Sequence, residues 1–450
     1  MKTFYLETFG CQMNVHDSER VAGTLVAEGY AAVATMQEAG LILFNTCSIR
    51  DKAAQKVFDR LANFKALQKQ GKKFGVLGCV AQQEGEAIFK RAPHVSLVAG
   101  SASYPRLPEL IAQLEAGESR VTGLGEADEA AFETELTRRD HPFRAFVTII
   151  EGCDKRCAYC VVPYTRGKER SRASASILRE IAQLVELGYT EVQLLGQNVN
   201  SYRDPSPAGL DFAELLAAVG EVPGLRRVRY TTSHPRDFTP EIVAAMGRNP
   251  VLCDHVHLPV QSGSNPVLAG MRRGYTRERY LEIIAAIRSC PRPLAVTTDI
   301  IVGFPGETDA DFEQTAELMH QVRYSGAFIF KYSPRPHTEA QAWEDSIPDA
   351  VKTERLMILQ RRQQQIQTED NQAAVGTELE VMVEAFHPKL GQWAGRSSSN
   401  RVVNFAPLPP AADPLKVWGQ PAEAALKPGQ YVHVRVERAG ANSLVGRQVA

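Results

Sequence analysis

Short apolar runs alternate with amphipathic stretches along most of the chain. In the first hundred residues Thr3 to Phe9, Ala39 to Asn45 and Lys73 to Gly78 read as strands, and Asp17 to Glu28 and Ala53 to Gln70 as helices. Strands and helices taking turns predict a parallel sheet with crossover helices. Residues 105–141 hold Pro105, Pro108, a helical stretch through Leu114 and then Gly- and Glu-rich sequence without an apolar period, so a linker is expected there. The alternation then resumes on a larger scale. Strands are expected at Ala145 to Ile150, Glu191 to Leu195, Arg227 to Thr231, His255 to Val260, Ala295 to Val302 and Ala327 to Tyr332, with helices such as Ser176 to Leu187, Arg277 to Arg288 and Asp309 to Gln321 between them. Leu356, Leu359 and Ile366 space out one face of a surface helix over 351–373. Beyond it Thr377 to Phe386, Gly395 to Phe405 and Tyr431 to Glu437 read as strands with Gly turns, the pattern of a small β-barrel.

The expected class is therefore α/β, in three domains: 1–104 as an α/β parallel sheet, 142–350 as a partial barrel of six β/α units, and 374–447 as the small β-barrel. A length of 450 residues suits about three domains. The formal net charge of −1 excludes a protein that grips nucleic acid by bulk charge, so any RNA contact has to come from local patches. One such patch runs from Arg138 to Arg172, with nine Lys/Arg, Arg166 and Lys168 among them, against four acids. No stretch approaches the roughly 18 apolar residues of a membrane span, and the N-terminus has no signal-peptide pattern. Eight cysteines, three at short spacing, fit a reducing compartment better than a disulfide framework, and a cytoplasmic location is expected.

Those three, Cys153, Cys157 and Cys160, stand as C-x3-C-x2-C directly after an apolar run. Three thiolates can each bind one iron of a 4Fe-4S cluster, leaving the fourth iron open for chemistry. A structural zinc site would need four ligands, usually in paired C-x2-C knuckles, and no partner pair occurs. Three further cysteines close apolar runs of the first domain: Cys11, Cys47 and Cys79. Ligands of open α/β sheets sit at the carboxyl ends of strands, so these thiols can meet in space and hold a second cluster; the alternative is that each is a small buried hydrophobe. Cys253 and Cys290 have no spaced partners and read as ordinary thiols. Polar or Gly-rich sequence also ends the later strands, at Gly196 to Asn200, Thr232 to Pro235, Gln261 to Ser264, Gly303 to Glu307 and Ser333 to Arg335.

The C-x3-C-x2-C motif with Tyr159 before its last cysteine resembles the signature of the radical S-adenosylmethionine enzymes. The segments Thr8-Phe-Gly-Cys11-Gln-Met-Asn-Val-His-Asp-Ser-Glu19, Asn45-Thr-Cys47-Ser-Ile-Arg50 and Gly75-Val-Leu-Gly-Cys79-Val-Ala-Gln82 resemble the N-terminal domain of the methylthiotransferases. The closing barrel, ending on Leu444-Val-Gly446, resembles the TRAM module, an RNA-binding domain. The resemblance covers nearly the whole chain, in that order. It implies two 4Fe-4S clusters, one on Cys153, Cys157 and Cys160 that cleaves S-adenosylmethionine, and an auxiliary one on Cys11, Cys47 and Cys79 that takes part in sulfur insertion. It implies S-adenosylmethionine contacts from Tyr159, Gln197, Asn198, Ser233, Gln261, Ile301 and Tyr332, and phosphate contacts to RNA from Arg166, Lys168, Arg396, Arg401, Arg435 and Arg438.

Within that family Gly10 to Val15, Leu194 to Tyr202 and Ser233 to Asp237 are most similar to the group that acts on isopentenylated adenosine beside the tRNA anticodon. The implied reaction is radical methylthiolation of carbon 2 of that base, with tRNA, an electron donor and a sulfur-supplying iron-sulfur assembly machinery as partners and a monomeric state. The alternatives are the group that acts on threonylcarbamoyl-adenosine and, in another class, a non-catalytic iron-sulfur RNA-binding protein. A free His234 could shuttle protons or simply be a hydrogen-bonded strand-end residue. Two features depart from the family: His337 where Gly is more usual, and Ser397-Ser-Ser399 with a Pro-rich insertion at 406–421 in the barrel.

Overall fold

The computed structural model describes residues 2–48, 51–125, 136–139, 141–207, 209–408 and 426–449. The N-terminal sheet is parallel throughout. Its order runs Ala31–Ala32, Thr3–Phe9, Leu41–Thr46, Lys73–Gly78, Val95–Ala99, Val121–Gly123. Leu41–Thr46 is buried along its whole length, as a parallel strand covered on both faces must be, and its apolar residues divide between two cores. The sixth strand corrects the expected boundary. Residues 105–123 are not linker: helix Leu107–Glu115 buries Leu107, Leu110, Ile111 and Leu114 against the sheet, and Val121–Gly123 pairs with Val95–Ala99. That helix carries an amphipathic stripe over only nine residues, and a three-residue strand has no period to read. Of the expected linker, residues 126–135 and 140 lie outside the described residues.

The central domain forms a curved row of six parallel strands. Arg144–Thr148, Glu191–Leu195 and Arg227–Tyr230 make one half, and His255–His257, Ala295–Val302 and Gly326–Lys331 the other. Backbone bonds from Val228 N–H to Val251 O (2.8 Å) and from Cys253 N–H to Val228 O (3.0 Å) join the halves. The expected partial barrel is thus observed. Helices such as Ser174–Glu186, Phe212–Gly220 and Arg277–Arg288 cover its outside and complete one continuous core. Burying a Leu or Ile side chain there stabilises the fold by about 1.5–3 kcal/mol.

Helix Asp349–Ala373 leads out to a closed five-stranded barrel, ordered Glu378–His387, Gln392–Ser397, Val402–Ala406, Leu444–Gln448, Tyr431–Ala439. The single strand expected over 395–405 is two strands joined by a turn, with Asn400 in the left-handed region (φ 65°). Of the Pro-rich insertion, 409–421 lies outside the described residues. Among the described residues no helix is long and apolar enough to cross a membrane.

Candidate functional site

Strand Thr3–Phe9 ends at Gly10, and Cys11 caps helix Gln12–Ala27. Cys47 follows the neighbouring strand, with its N–H donating to Phe9 O (3.0 Å), and Cys79 opens helix Cys79–Glu84 after the next. Parallel neighbours therefore bring three cysteines, far apart in sequence, to one edge of the sheet. A Cβ on Gly10 would lie 2.4 Å from the Cys47 Cβ, so only glycine lets these two turns approach. Hydrogen bonding to Cys47 is the largest influence on Cys11 and pulls its thiol down to about 6 in spite of burial. A thiolate is the ligand form of cysteine. Asn14 accepts from the Cys11 thiol (3.2 Å) and donates to Asn45 (3.3 Å), which also donates to Asn14 O and Ser18 Oγ.

The second set lies on the loop after Arg144–Thr148. Gly152 has φ 79°, and a Cβ on it would sit 1.9 Å from Lys168 O. The loop is held by Cys153 N–H to Gly167 O (3.2 Å), Cys160 N–H to Cys157 O (3.0 Å), and Ala158 N–H to Met271 O (3.0 Å). Burial pushes the Cys153 thiol up to about 11 and Cys160 up to about 12. Among the described residues no three His, Cys, Asp or Glu converge on a point that would hold a single metal ion. A four-iron cluster asks for something else, three thiolates each on a different iron.

The strand ends around this loop carry buried polar atoms without partners: Gln197 Nε2, Asn198 Oδ1, Ser233 Oγ and Gln261 Oε1. Leaving such a group unpaired costs about 1–3 kcal/mol, so four at one rim fit a polar ligand that would satisfy them. The other capacity of two of them is spent on the frame. Gln197 Oε1 accepts from Gly152 N–H, and Asn198 Nδ2 donates to Asp237 (2.7 Å). Tyr159, Ile301 and Tyr332 share an apolar cluster with Ala158, Phe304 and Trp343, and the Tyr332 hydroxyl donates to Ala340 O (2.9 Å). The Tyr332 hydroxyl is thus already satisfied within the chain, which leaves its ring face as the apolar surface.

His234 is buried, accepts from Arg236 N–H (3.1 Å) and lies 4.0 Å from Cys157 Sγ. Burial, then Arg273, Lys155 and Arg236, push it down to about 2, so the ring stays neutral, and with Nδ1 accepting from Arg236 its hydrogen sits on Nε2. Sequence reading missed Arg273, which donates to Pro259 O (2.9 Å) and lies 3.4 Å from Cys157 Sγ and 3.3 Å from the Tyr159 hydroxyl. It also missed Asp237, which pairs with Lys155 at 2.8 Å. Arg273 lies in no motif, and Asp237 closes the Ser233 to Asp237 segment without any sign there of its partner.

Arg166 is a correction. Expected at RNA phosphate, its guanidinium is instead buried, with Nη2 on Asp17 (2.5 Å) and Nε on Cys79 Sγ (3.3 Å). Burial opposes its charge, but Asp17 and Cys79 outweigh that and hold it protonated. The two cysteine sets therefore face one another across the N-terminal and central domains. Arg20 with Glu151 (3.1 Å) and Gln12 with Gln193 (3.1 Å) cross the same junction.

Of the other expected RNA contacts, Lys168, Arg435 and Arg438 are exposed, Arg435 pairing with Glu378 at 2.5 Å. Arg396 and Arg401 are half-buried, on Glu384 (3.3 Å) and Asp370 O (3.5 Å). Both line a polar cavity of about 200 Å³ with His255, Thr297 and Ser325. Those last residues lie at the starts of barrel strands, so the cavity is at the end away from the cysteines and belongs to the seam between domains.

Known proteins match over the same three regions. Residues 3–100 match Uncharacterized protein family UPF0004, 147–319 the Radical SAM superfamily, and 372–449 the TRAM domain. A protein of Solibacter usitatus called tRNA-2-methylthio-N(6)-dimethylallyladenosine synthase is 62% identical over 100% of this chain and 98% of its own length. Proteins of the same name are 57% identical in Koribacter versatilis, over 100% and 98%, and 45% identical in Aquifex aeolicus, over 90% and 92%. Among solved structures, the radical S-adenosylmethionine methyltransferase TsrM of Kitasatospora setae aligns with TM-score 0.56 at 14% identity, covering 76% of this chain and 75% of that one. The cobalamin-dependent S-adenosylmethionine radical enzyme OxsB aligns at 0.53 and 13%, covering 79% and 56%. These two likenesses concern the fold.

Proposed function

We propose the following chemistry for a chain that belongs to the tRNA-2-methylthio-N(6)-dimethylallyladenosine synthases. It is an enzyme, a tRNA methylthiotransferase of the radical S-adenosylmethionine superfamily. Its reaction replaces the hydrogen on carbon 2 of N6-isopentenyladenosine, beside the anticodon, with a methylthio group. The observation that carries this reading is full-length likeness to relatives of that one name together with two sets of three cysteines on facing strand ends.

When bound, 4Fe-4S clusters and S-adenosylmethionine supply reductive sulfonium cleavage, a 5′-deoxyadenosyl radical and the methylated sulfur that is transferred. Carbon 2 carries no acidic proton, so side-chain acids and bases have nothing to act on, and the chain's contribution is placement. Cys153, Cys157 and Cys160 would bind three irons of the radical-generating cluster. Cys11, Cys47 and Cys79 would bind a second. The unpartnered atoms of Gln197, Asn198, Ser233 and Gln261 would take up the polar groups of S-adenosylmethionine, while Tyr159, Ile301 and Tyr332 wall its adenosine. The target base has to leave its stack to enter the gap, at roughly a few kcal/mol, and contacts of Lys168, Arg396, Arg401, Arg435 and Arg438 with the RNA backbone would offset that. A cytoplasmic monomer served by an electron donor and an iron-sulfur assembly machinery completes the reading.

Nucleoside mass spectrometry tests it. Anaerobically reconstituted protein, reductant and S-adenosylmethionine are incubated with tRNA that carries isopentenyl-adenosine. The expected result is the methylthio nucleoside, lost in Cys11→Ala and in Cys157→Ala. Formation of 5′-deoxyadenosine with no methylthio nucleoside would move the substrate to threonylcarbamoyl-adenosine, and absence of both would sink the enzyme reading.

A further inference from the structure

Two aromatic rings at the rim of the junction belong to neither cysteine set. Tyr164, on the short helix Val162–Arg166 that follows the cysteine loop, stacks on His337 with ring centroids 3.9 Å apart and planes 13° apart. The two rings come from the two ends of the strand row, one from the loop after its first strand and the other from the loop after its last. Both residues are exposed, Tyr164 at 49%. An exposed tyrosine stacked on an exposed histidine gains little from burial, and the contact does not come free. His337 holds a left-handed backbone (φ 66°), which strains a non-glycine residue, and its N–H is fixed on Gln341 Oε1 (3.1 Å).

The position of the pair indicates what it faces. Two residues beyond Tyr164, Arg166 reaches Cys79 (3.3 Å). Two residues before His337, the half-buried Arg335 feels the negative charge of Cys47, which offsets part of the lowering that burial imposes on its pKa. The rings are therefore chain neighbours of residues that reach the Cys11, Cys47 and Cys79 set, with exposed faces beside the junction. Every nucleobase has a flat π-face, and planar side chains at the mouth of a nucleic-acid channel bind bases by stacking.

We propose that Tyr164 and His337 form a stacking platform for a nucleobase next to the target adenosine, holding the anticodon loop open while that adenosine enters the gap. This rests on the proposed substrate. Both are positioning residues, since the platform touches a flanking base and not the reacting carbon.

The test places 2-aminopurine at the nucleotide 3′ or 5′ of the target in an isopentenylated anticodon stem-loop. Its fluorescence is followed on titration with the reconstituted enzyme, and KM and kcat for methylthiolation are measured alongside. Wild type and Tyr164→Phe, which keeps the ring, are expected to quench one of the two positions. Tyr164→Ala and His337→Gly are expected to lose the quench and to raise KM about tenfold with a smaller change in kcat. Equal iron content across the variants shows that the loop beside Tyr164 is intact. Quenching and KM in Tyr164→Ala equal to wild type would overturn the platform. A wild type that quenches the probe yet makes no methylthio nucleoside would instead overturn the functional reading.

Discussion

The guanidinium of Arg166, six residues beyond Cys160, donates through Nε to the Sγ of Cys79 in the other cysteine set at 3.3 Å. The same side chain closes an ion pair with Asp17 at 2.5 Å, with 5% and 1% of the two side chains exposed. A buried pair adds little beyond its desolvation cost, but breaking it strands one charge and costs roughly 3–5 kcal/mol. Arg166→Gln is expected to lose that much in denaturant unfolding, because it leaves Asp17 alone. Asp17→Asn combined with Arg166→Gln is expected to recover part of the loss, since neither charge is then buried unpaired. A double variant no more stable than Arg166→Gln would show that the arginine stabilises the junction by packing alone.

The cysteine loop depends on a backbone that only glycine adopts easily. With φ 79° and a Cβ position 1.9 Å from Lys168 O, Gly152→Ala has to displace the segment whose Gly167 carbonyl accepts from Cys153 N–H. The expected outcome is a protein that folds, since the change is confined to one loop, but that retains about half the iron of wild type after reconstitution, the cluster on Cys11, Cys47 and Cys79 surviving. Iron content and absorbance of the reconstituted variant check it, and full iron loading would refute it.

The cysteines were legible in the sequence because strand ends in a parallel sheet converge, so three residues separated by more than thirty positions could be placed at one edge from the alternation alone. What chemistry surrounds them was less legible. Arg166 sits in a run of basic residues, and composition cannot tell a solvated cation from one that has found a buried carboxylate across a domain junction. Asp237 and Arg273 act through contacts made by tertiary folding and leave no spacing behind. Val121–Gly123 was missed for a different reason: three residues added to a sheet edge owe their strand to the neighbour's hydrogen bonds, not to their own pattern. The turn at 398–400 was hidden because Val402 to Phe405 continues the alternation begun before it.

Arg229 is one of the residues that attach the C-terminal barrel, with Arg227 beside it on Arg396 O (2.7 Å). Arg229 pairs with Glu191 (3.2 Å) and donates to the carbonyls of Ser397 (2.8 Å) and Ser398 (3.0 Å) across the seam. Lysine keeps the charge but cannot fork to three acceptors. Arg229→Lys is expected to lower stability by about 1–3 kcal/mol and to speed release of the barrel by limited proteolysis. By contrast Arg226, half exposed on Glu380, is expected to cost under about 1 kcal/mol when changed to Ala. Equal effects of the two substitutions would contradict this ranking.

His94 gives the N-terminal domain a pH dependence of predictable sign. Its ring is buried edge-on to Phe74 (5.1 Å between centroids). Burial is the main reason its pKa is lowered from 6.5, with the charge of Lys65 adding to it and the Leu61 backbone opposing. The unfolded chain therefore takes up a proton near 6.5 that the folded domain refuses. Its contribution to stability is fully present above 6.5, declines as pH falls below that value, and levels off once pH passes the folded pKa. While the histidine titrates only in the unfolded chain the slope approaches about 1.4 kcal/mol per pH unit. His94→Met keeps an apolar side chain in the site and removes the titration. Melting curves of wild type and His94→Met between pH 7.5 and pH 5 are expected to diverge as pH falls, with the wild type losing more; parallel curves would mean that the buried histidine accepts its proton without opening the core.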